Sequence, residues 1–320
     1  MHRIRTIGTA TGALLAVAGL IFPTGPAYAA FRSPTVYAHR AGAAYAPENT
    51  LAAIRNAHRL GISWVENDVQ RTKDGRLVVI HDATLSRTTN VEKLYPKRSP
   101  WRVKDFTLKE IKRLDAGGWF SRKYAGERIP TLKQYLEQLD RTGQGVLLEL
   151  KQPQLYPGVE SQTLTLLRKE GWLDKAHVTH RLVIQSFSVA ALRTTHRLRP
   201  SVHTGFLGNP DTADLRSYAA FADQINPDEK TVTLSYVDAV HRHRGPHGVP
   251  MQVNAWTVDH AREAATLTAM GVDGIITNKP DVIENAVGQA ANWPGPPRSS
   301  GMHEGPWSVV DPGPSEERTL

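Results

Sequence analysis

Thr35-Val36-Tyr37-Ala38-His39-Arg40 and Ile62-Ser63-Trp64-Val65-Glu66-Asn67-Asp68-Val69 are the two stretches on which the fold turns. Both are rich in β-branched and aromatic residues, so both read as strands, and each delivers chemistry at its end. Side chains alternate across a strand, which puts Glu66 and Asp68, two positions apart, on the same side. Two buried carboxylates that close together are costly without a cation between them. Lys73-Asp74-Gly75 then makes a tight turn into Leu77-Val78-Val79-Ile80-His81, which sets His81 on a strand neighbouring that of Glu66 and Asp68. The simplest reading is a divalent metal held by oxygen ligands, with His39 and His81 beside it.

Strand-like and helix-like stretches alternate outward from this pair. Thr50 is placed to cap a helix carrying Leu51, Ile54, Ala57 and Leu60 at helical spacing, and Gly61 ends it. Residues 84–130 interrupt the alternation with polar and aromatic segments and one helical piece near Leu108 to Leu114, and read as an insertion over the mouth of the site. Strands are then expected at 145–151, 182–187, 202–207, 222–226, 250–255 and 273–277, with helices at 132–139, 162–169, 189–198 and 259–270. About eight strand and helix pairs in one chain predict a (β/α)8 barrel (TIM barrel), with a doubly wound open sheet as the competing architecture. In a barrel, polar residues at the carboxyl ends of strands converge on one face. That rule gathers His39, Arg40, Glu66, Asp68, Glu149, Lys151, Gln185 and Trp256 in one pocket. Three carboxylates match a hard cation such as Ca²⁺ or Mg²⁺. Arg40 and Lys151 supply the charge that a phosphoryl group needs.

Residues 1–29 have the layout of an export signal: Arg3 and Arg5, an apolar run from Ala13 to Phe22, then Ala27-Tyr28-Ala29. The run is short for a membrane span, so cleavage after Ala29 and a secreted enzyme at 30–292 are expected. Removing the segment takes Lys plus Arg from 39 to 37 against 31 Asp plus Glu, a formal charge of about +6 that favours anionic substrates without choosing one. The absence of cysteine excludes thiolate nucleophiles and cysteine-rich zinc sites. Basic residues are scattered rather than interleaved with aromatics, which argues against a nucleic-acid partner. The tail at 293–320 is rich in Pro, Gly and Ser and is expected to be disordered. His241-Arg242-His243-Arg244 with His247 reads as a solvated basic surface. Tyr95, Trp101, Phe106, Trp119 and Phe120 in the insertion form either a satellite core or a surface for peripheral contact with lipid head groups. Nothing in the sequence sets an oligomeric state.

The runs His39-Arg40-Ala41-Gly42, Pro47-Glu48-Asn49-Thr50, Glu66-Asn67-Asp68-Val69, Thr72-Lys73-Asp74-Gly75 and His81-Asp82 closely resemble the glycerophosphodiester phosphodiesterase family. The resemblance continues through Glu149-Leu150-Lys151, Gln185-Ser186-Phe187 and Asn254-Ala255-Trp256-Thr257-Val258 to Gly271-Val272-Asp273-Gly274-Ile275-Ile276-Thr277, and covers the chain from Val36 to Pro280. It implies a (β/α)8 barrel with a short insertion, and hydrolysis of glycerophosphodiesters such as glycerophosphocholine to glycerol 3-phosphate and an alcohol. It further implies His39 and His81 as the acid/base pair and Glu66, Asp68 and Glu149 as ligands of the divalent metal. Arg40 would bind phosphate with help from Lys151, and Glu48 would brace the groups around it. Gln185 and Trp256 are candidates for the wall that meets substrate. The sequence departs from the family pattern at Ala41, where glycine is more usual. The competing functions are a lysophospholipase D or sphingomyelinase D type of phospholipid hydrolysis and a non-catalytic binding barrel. Zero cysteines speak against the former, which usually carries a disulfide-tied loop, and two placed histidines speak against the latter.

Overall fold

The computed structural model describes residues 33–291, so the signal expected at 1–29 and the tail expected at 293–320 lie outside the described residues. Nine strands run along the described chain: β1 (Thr35–Ala38), β2 (Trp64–Arg71), β3 (Leu77–Val79), β4 (Gly145–Leu150), β5 (Leu182–Ser186), β6 (His203–Leu207), β7 (Gln224–Asn226), β8 (Gln252–Ala255) and β9 (Gly274–Thr277). Eight of them are parallel and close on themselves, because β1 pairs with β9 on one side and with β2 on the other. Helices fill the connections, which makes the molecule a (β/α)8 barrel.

β3 is not one of the eight staves. It runs antiparallel to the outer half of β2, with Val69 opposite Val79 and Arg71 opposite Leu77. β2 is therefore longer than its neighbours: Trp64 to Val69 pair with β4, and the rest projects beyond the rim as one arm of a hairpin. Glu66 and Asp68 consequently sit within β2 rather than at its end. The rim of the barrel passes through the strand near Val69, not at its last residue.

The outer helices follow from capping and periodicity. Thr50 Oγ accepts from Ala53 N at 3.2 Å to start the helix Leu51–Arg59, which buries Ala52, Ala53, Ile54 and Ala57. Thr131 and Gln134 form a capping box for Leu132–Thr142, and Gly143 ends it at φ +72°. That helix buries Leu132, Tyr135, Leu136 and Leu139, the i, i+3, i+4, i+7 stripe, against β2 and β4 neighbours such as Val65 and Val146. Each such side chain contributes about 1.5–3 kcal/mol on burial. A second shell of apolar packing, including Ile225, Val253 and Ile275, holds the other half of the barrel. The interior is closed low down by Tyr37, Leu147, Val183 and Ile276, with Trp64 edge-on to Tyr37 at 5.5 Å.

The insertion carries its own small core, in which Leu85, Val91, Val103, Phe106, Ile111 and Leu114 are buried with Val78 and Ile80 of the hairpin. The expected helix is the single turn Leu108–Ile111, shorter than the sequence stripe and started by a Thr107–Glu110 capping box, and a second single turn, Val91–Leu94, precedes it. Tyr95, Trp101 and Phe106 belong to this satellite core. Trp119 stays 42% exposed, edge-on to Phe120 at 5.7 Å. The five aromatics thus divide between core and surface. No helix among the described residues is long and apolar enough to cross a membrane.

Candidate active site

Three consecutive left-handed residues follow β1: Arg40 (φ +49°), Ala41 (φ +66°) and Gly42 (φ +93°). This turn swings the Arg40 backbone N–H onto Glu66 Oε2 at 2.8 Å. It also shows why glycine is the more usual residue at position 41, since the Ala41 side chain in this region costs about 1 kcal/mol that glycine avoids. His39 enters the same turn with Nδ1 at 2.8 Å from Asn278 Oδ1. The Asn278 amide has one orientation, because its Nδ2 donates to Asp259 Oδ2 at 2.7 Å and its backbone N–H to Asp259 Oδ1 at 2.8 Å. His39 Nδ1 must therefore carry the proton and Nε2 the lone pair, which lies 4.0 Å from Glu66 Oε2. Burial, reinforced by the Arg40 charge, pushes the His39 imidazole down from 6.5 to about 4.

His81 is held differently. Its Nδ1 donates to Asp82 Oδ1 at 2.7 Å, leaving Nε2 for the site. Asp82 stays ionised: the hydrogen bond from His81 draws its carboxyl far below the usual range, and Arg87 outweighs the effect of burial. Arg87 also makes two bonds to Glu48, at 2.8 and 2.7 Å, and Glu48 Oε1 accepts from Arg40 at 3.1 Å. The chain Asp82–Arg87–Glu48–Arg40 ties the hairpin end to the β1 turn. Glu48 lies behind Arg40 in this chain, so its contacts are with the two arginines.

Glu66, Asp68 and Glu149 are all buried, and their carboxylate oxygens lie within 4.8 Å of one another. Burial and then the charges of Asp68 and Glu149 raise the Glu66 carboxyl well above its ordinary value. Burial and Asp68 raise Glu149 to about 8. Burial also works against Asp68, but Lys151, His81 and Arg40 prevail and hold it at about 2. Lys151 Nζ reaches Asp68 Oδ1 at 3.3 Å and Glu149 Oε1 at 3.1 Å. Asn49, itself left-handed at φ +61°, pins Asp68 with Nδ2 to Oδ2 at 2.8 Å. Asp68 Oδ1 is buried and takes no hydrogen bond. Three oxygen donors, mutual repulsion that suppresses ionisation, and an Asp68 oxygen that meets only the Lys151 ion pair fit a divalent cation such as Ca²⁺ or Mg²⁺.

The opposite wall is neutral. Gln185 Oε1 accepts from Asn226 Nδ2 at 2.9 Å, and Asn226 Oδ1 accepts from Asn254 Nδ2 at 3.1 Å. Gly205 leaves room for this ladder: a Cβ there would stand 2.8 Å from Asn226 Nδ2. Trp256 Nε1 donates to the Asn226 carbonyl at 2.7 Å and its ring meets Phe187 edge-on at 5.6 Å. Between the walls is a cavity of about 140 Å³ lined by His39, Arg40, Glu66, His81, Glu149, Lys151, Gln185 and Trp256, together with Phe187, Leu207, Thr257 and Ile276. Asp68 borders this group through Lys151 and the other two carboxylates without lining the cavity itself.

Sequence reasoning gave no role to Asn49, Arg87, Asn226, Asn254, Asp259 or Asn278. Asn278 directly follows β9, so the strand-end rule could have found it. Asn49 stood in the quoted Pro-Glu-Asn-Thr run. Arg87 lies in the insertion and carried no signal.

The profile of the glycerophosphoryl diester phosphodiesterase family matches residues 39–282. A glycerophosphodiester phosphodiesterase of Caldanaerobacter subterraneus subsp. tengcongensis is 36% identical over 255 residues, 79% of this chain and 97% of that protein. One from Bacillus subtilis is 34% identical over 259 residues, 77% of this chain and 83% of that protein. Among solved structures, an Oleispira antarctica phosphodiesterase in complex with the product sn-glycerol-3-phosphate superposes with a TM-score of 0.70 at 29% identity, covering 80% of this chain and 97% of that one. The chain belongs to the glycerophosphoryl diester phosphodiesterase family of phosphoric diester hydrolases.

Proposed function

We propose that the protein is a secreted, divalent-metal-dependent phosphodiesterase that hydrolyses small glycerophosphodiesters, glycerophosphocholine among them, to glycerol 3-phosphate and an alcohol, with His39 and His81 as the proton-transfer pair. The observation that carries this reading is one cavity in which two histidines, one backed by the amide of Asn278 and the other by the carboxylate of Asp82, flank three buried carboxylates, Arg40 and Lys151. Its volume of about 140 Å³ suits a phosphodiester head better than a lysophospholipid chain. Secretion rests on the signal layout of residues 1–29.

Glu66, Asp68 and Glu149 would hold the metal, which when bound would neutralise charge on the phosphoryl oxygens and displace the protons the carboxylates otherwise retain. Arg40 and Lys151 add positive charge to the same phosphoryl group. His39, neutral and with Nε2 unprotonated, accepts the proton of the attacking oxygen; Asn278 and Asp259 keep its tautomer fixed. His81, with Nε2 left for the site, gives a proton to the departing alkoxide, while Asp82 accepts its Nδ1 N–H and fixes the ring. Phe187 and Trp256 form an apolar lip across from the charged wall and leave space for the alcohol.

The test is release of choline from glycerophosphocholine and from lysophosphatidylcholine, with glycerol 3-phosphate as the co-product expected from the former, with EDTA and with Ca²⁺ or Mg²⁺ restored. Turnover of the smaller substrate, lost on chelation and recovered with one of the cations, is expected. Turnover that survives chelation, or a preference for the lysolipid, overturns the reading.

A further inference from the structure

His203 begins β6, Asp223 immediately precedes β7, and His247 lies in the connection between the helix Leu234–His241 and β8. All three therefore sit at the amino end of the barrel, on the face away from the cavity. The expected solvated basic surface at 241–247 is divided in the fold. His241 Nε2 pairs with Asp273 Oδ2 at 2.8 Å, while His247 turns inward to Asp223.

Asp223 is 3% exposed and already receives the Thr204 N–H on Oδ2 at 3.1 Å. His247 Nδ1 stands 2.8 Å from Oδ1 and His203 Nδ1 3.5 Å from Oδ2. Donor atoms of the three residues lie within 4.8 Å of one another. The imidazoles stack at 3.9 Å between centroids and 25° between planes. Neighbouring ligands on a tetrahedral zinc are about 3.3 Å apart, given metal–ligand bonds of about 2.0–2.1 Å, and the two carboxylate separations bracket that value. His247 Nε2 is buried and has no partner, so this ring is not consumed by surrounding hydrogen bonds.

The frame around the cluster is ordered. Gly245 N–H donates to Val249 O at 3.0 Å, Gly248 N–H to Gly245 O at 2.9 Å and Gln252 N–H to Asp223 O at 2.9 Å. The side chains of His203 and His247 are 27% and 25% exposed, which leaves an entry path from solvent.

We propose that His203, Asp223 and His247 form a second metal site, selective for a borderline transition cation such as Zn²⁺. Two imidazoles and one carboxylate prefer such an ion over Ca²⁺ or Mg²⁺, whereas the all-carboxylate group in the cavity has the opposite preference. Loading requires each ring to turn about its Cβ–Cγ bond, opening the stack so that both in-plane lone pairs point at the ion. As the ion takes the Nδ1 lone pair of each neutral imidazole, the proton that Nδ1 shared with Asp223 is exchanged through solvent onto Nε2, so each ring keeps one N–H. An ion there would fasten together the connections leading into β6, β7 and β8.

The test is calorimetric titration of Zn²⁺ into the whole protein held in saturating Ca²⁺. One Zn²⁺ per chain is expected, with affinity reduced about tenfold or more in His203→Ala and in His247→Ala. Glu149→Gln should bind this Zn²⁺ as wild type does, and turnover in Ca²⁺ should be unchanged by His203→Ala, which separates this proposal from that of the cavity. Co²⁺ added to Ca²⁺-saturated wild type gives a readout independent of any variant. Two exchangeable, hyperfine-shifted imidazole N–H resonances are expected. No Zn²⁺ binding in the presence of Ca²⁺, affinity unaltered in both folded histidine variants, or a Co²⁺ spectrum without shifted imidazole protons overturns the proposal.

Discussion

The two walls of the cavity are built on opposite chemical principles. The wall from β1, β2 and β4 carries His39, Arg40, Glu66, Asp68, Glu149 and Lys151, and its backbone is left-handed at Arg40, Ala41 and Asn49. The facing wall from β5, β7 and β8 carries the amides Gln185, Asn226 and Asn254 with Phe187 and Trp256, uncharged and with the amides linked to one another by hydrogen bonds. Charge is concentrated where phosphate and metal are proposed to sit, while neutral packing borders the alcohol. The first wall is held short of its own best electrostatics, since Glu66 and Glu149 retain protons that a cation would displace.

The largest expected effect separates the walls by chemistry. His39→Ala and His81→Ala should each lower kcat at least about a hundredfold, the usual scale of a lost proton-transfer group. Gln185→Leu, across the cavity, should not approach that loss. Steady-state kinetics with each purified, folded variant checks it, and equal losses on both walls would erase the distinction.

A second test uses pH. Glu149 is raised in the fold from 4.5 to about 8, so between those values the metal-free folded state holds a proton that the unfolded chain has released. This group's contribution to stability is present below its unfolded value and is lost as pH rises through about 8. Cation binding should strengthen over the same window and release protons. Calorimetry of Ca²⁺ or Mg²⁺ binding in two buffers of different ionisation heat measures that release. His39 has the reverse sign: with its folded value lowered to about 4, its contribution is full above 6.5 and is lost as pH falls toward 4. Glu149→Gln should abolish much of the proton release, and an unchanged release would move the protonated carboxyl elsewhere.

The neutral wall should respond through stability instead. Asn226→Leu leaves the Gln185 carbonyl and the Asn254 amide of a buried ladder without their partner. A loss of about 1–3 kcal/mol is expected from stranding such groups, read as a lower urea midpoint. A stability loss below about 0.5 kcal/mol would mean that the ladder closes by other bonds.

The barrel was legible because its strands are buried on both faces and read as continuous apolar runs with polar ends. The residues of the charged wall were legible for a related reason: ionisable groups stand out against Val, Leu and Ile. The amide ladder was not, since Asn226 and Asn254 look like any polar strand residue until β7 and β8 set them side by side and Gly205 of β6 lets Asn226 reach across to Gln185 of β5. The position of Glu66 and Asp68 within β2 was missed because a sequence run shows where a strand ends, not where the barrel rim crosses it. The His203–Asp223–His247 group escaped for a stronger reason. Its members come from the first residue of β6, the residue before β7 and the loop before β8, and no local spacing relates them.

The smallest expected effect concerns the turn that aims the charged wall. Ala41 is fully buried and left-handed at φ +66°. Ala41→Gly relieves about 1 kcal/mol of backbone strain. It also removes a buried methyl worth about 0.8 kcal/mol and loosens the unfolded chain by about 0.5–1 kcal/mol. These terms nearly cancel, so the midpoint should move by less than about 3 °C. Gly42→Ala has no such compensation. Its added Cβ meets Pro280 at an unremarkable 3.7 Å, but φ +93° penalises any side chain there. A destabilisation of about 1–2 kcal/mol is expected from conformation alone. Thermal melts of the two variants compare them directly. If Gly42→Ala proved as neutral as Ala41→Gly, the turn would be adjustable, and the Arg40 N–H bond to Glu66 would owe its geometry to the carboxylates rather than to the backbone.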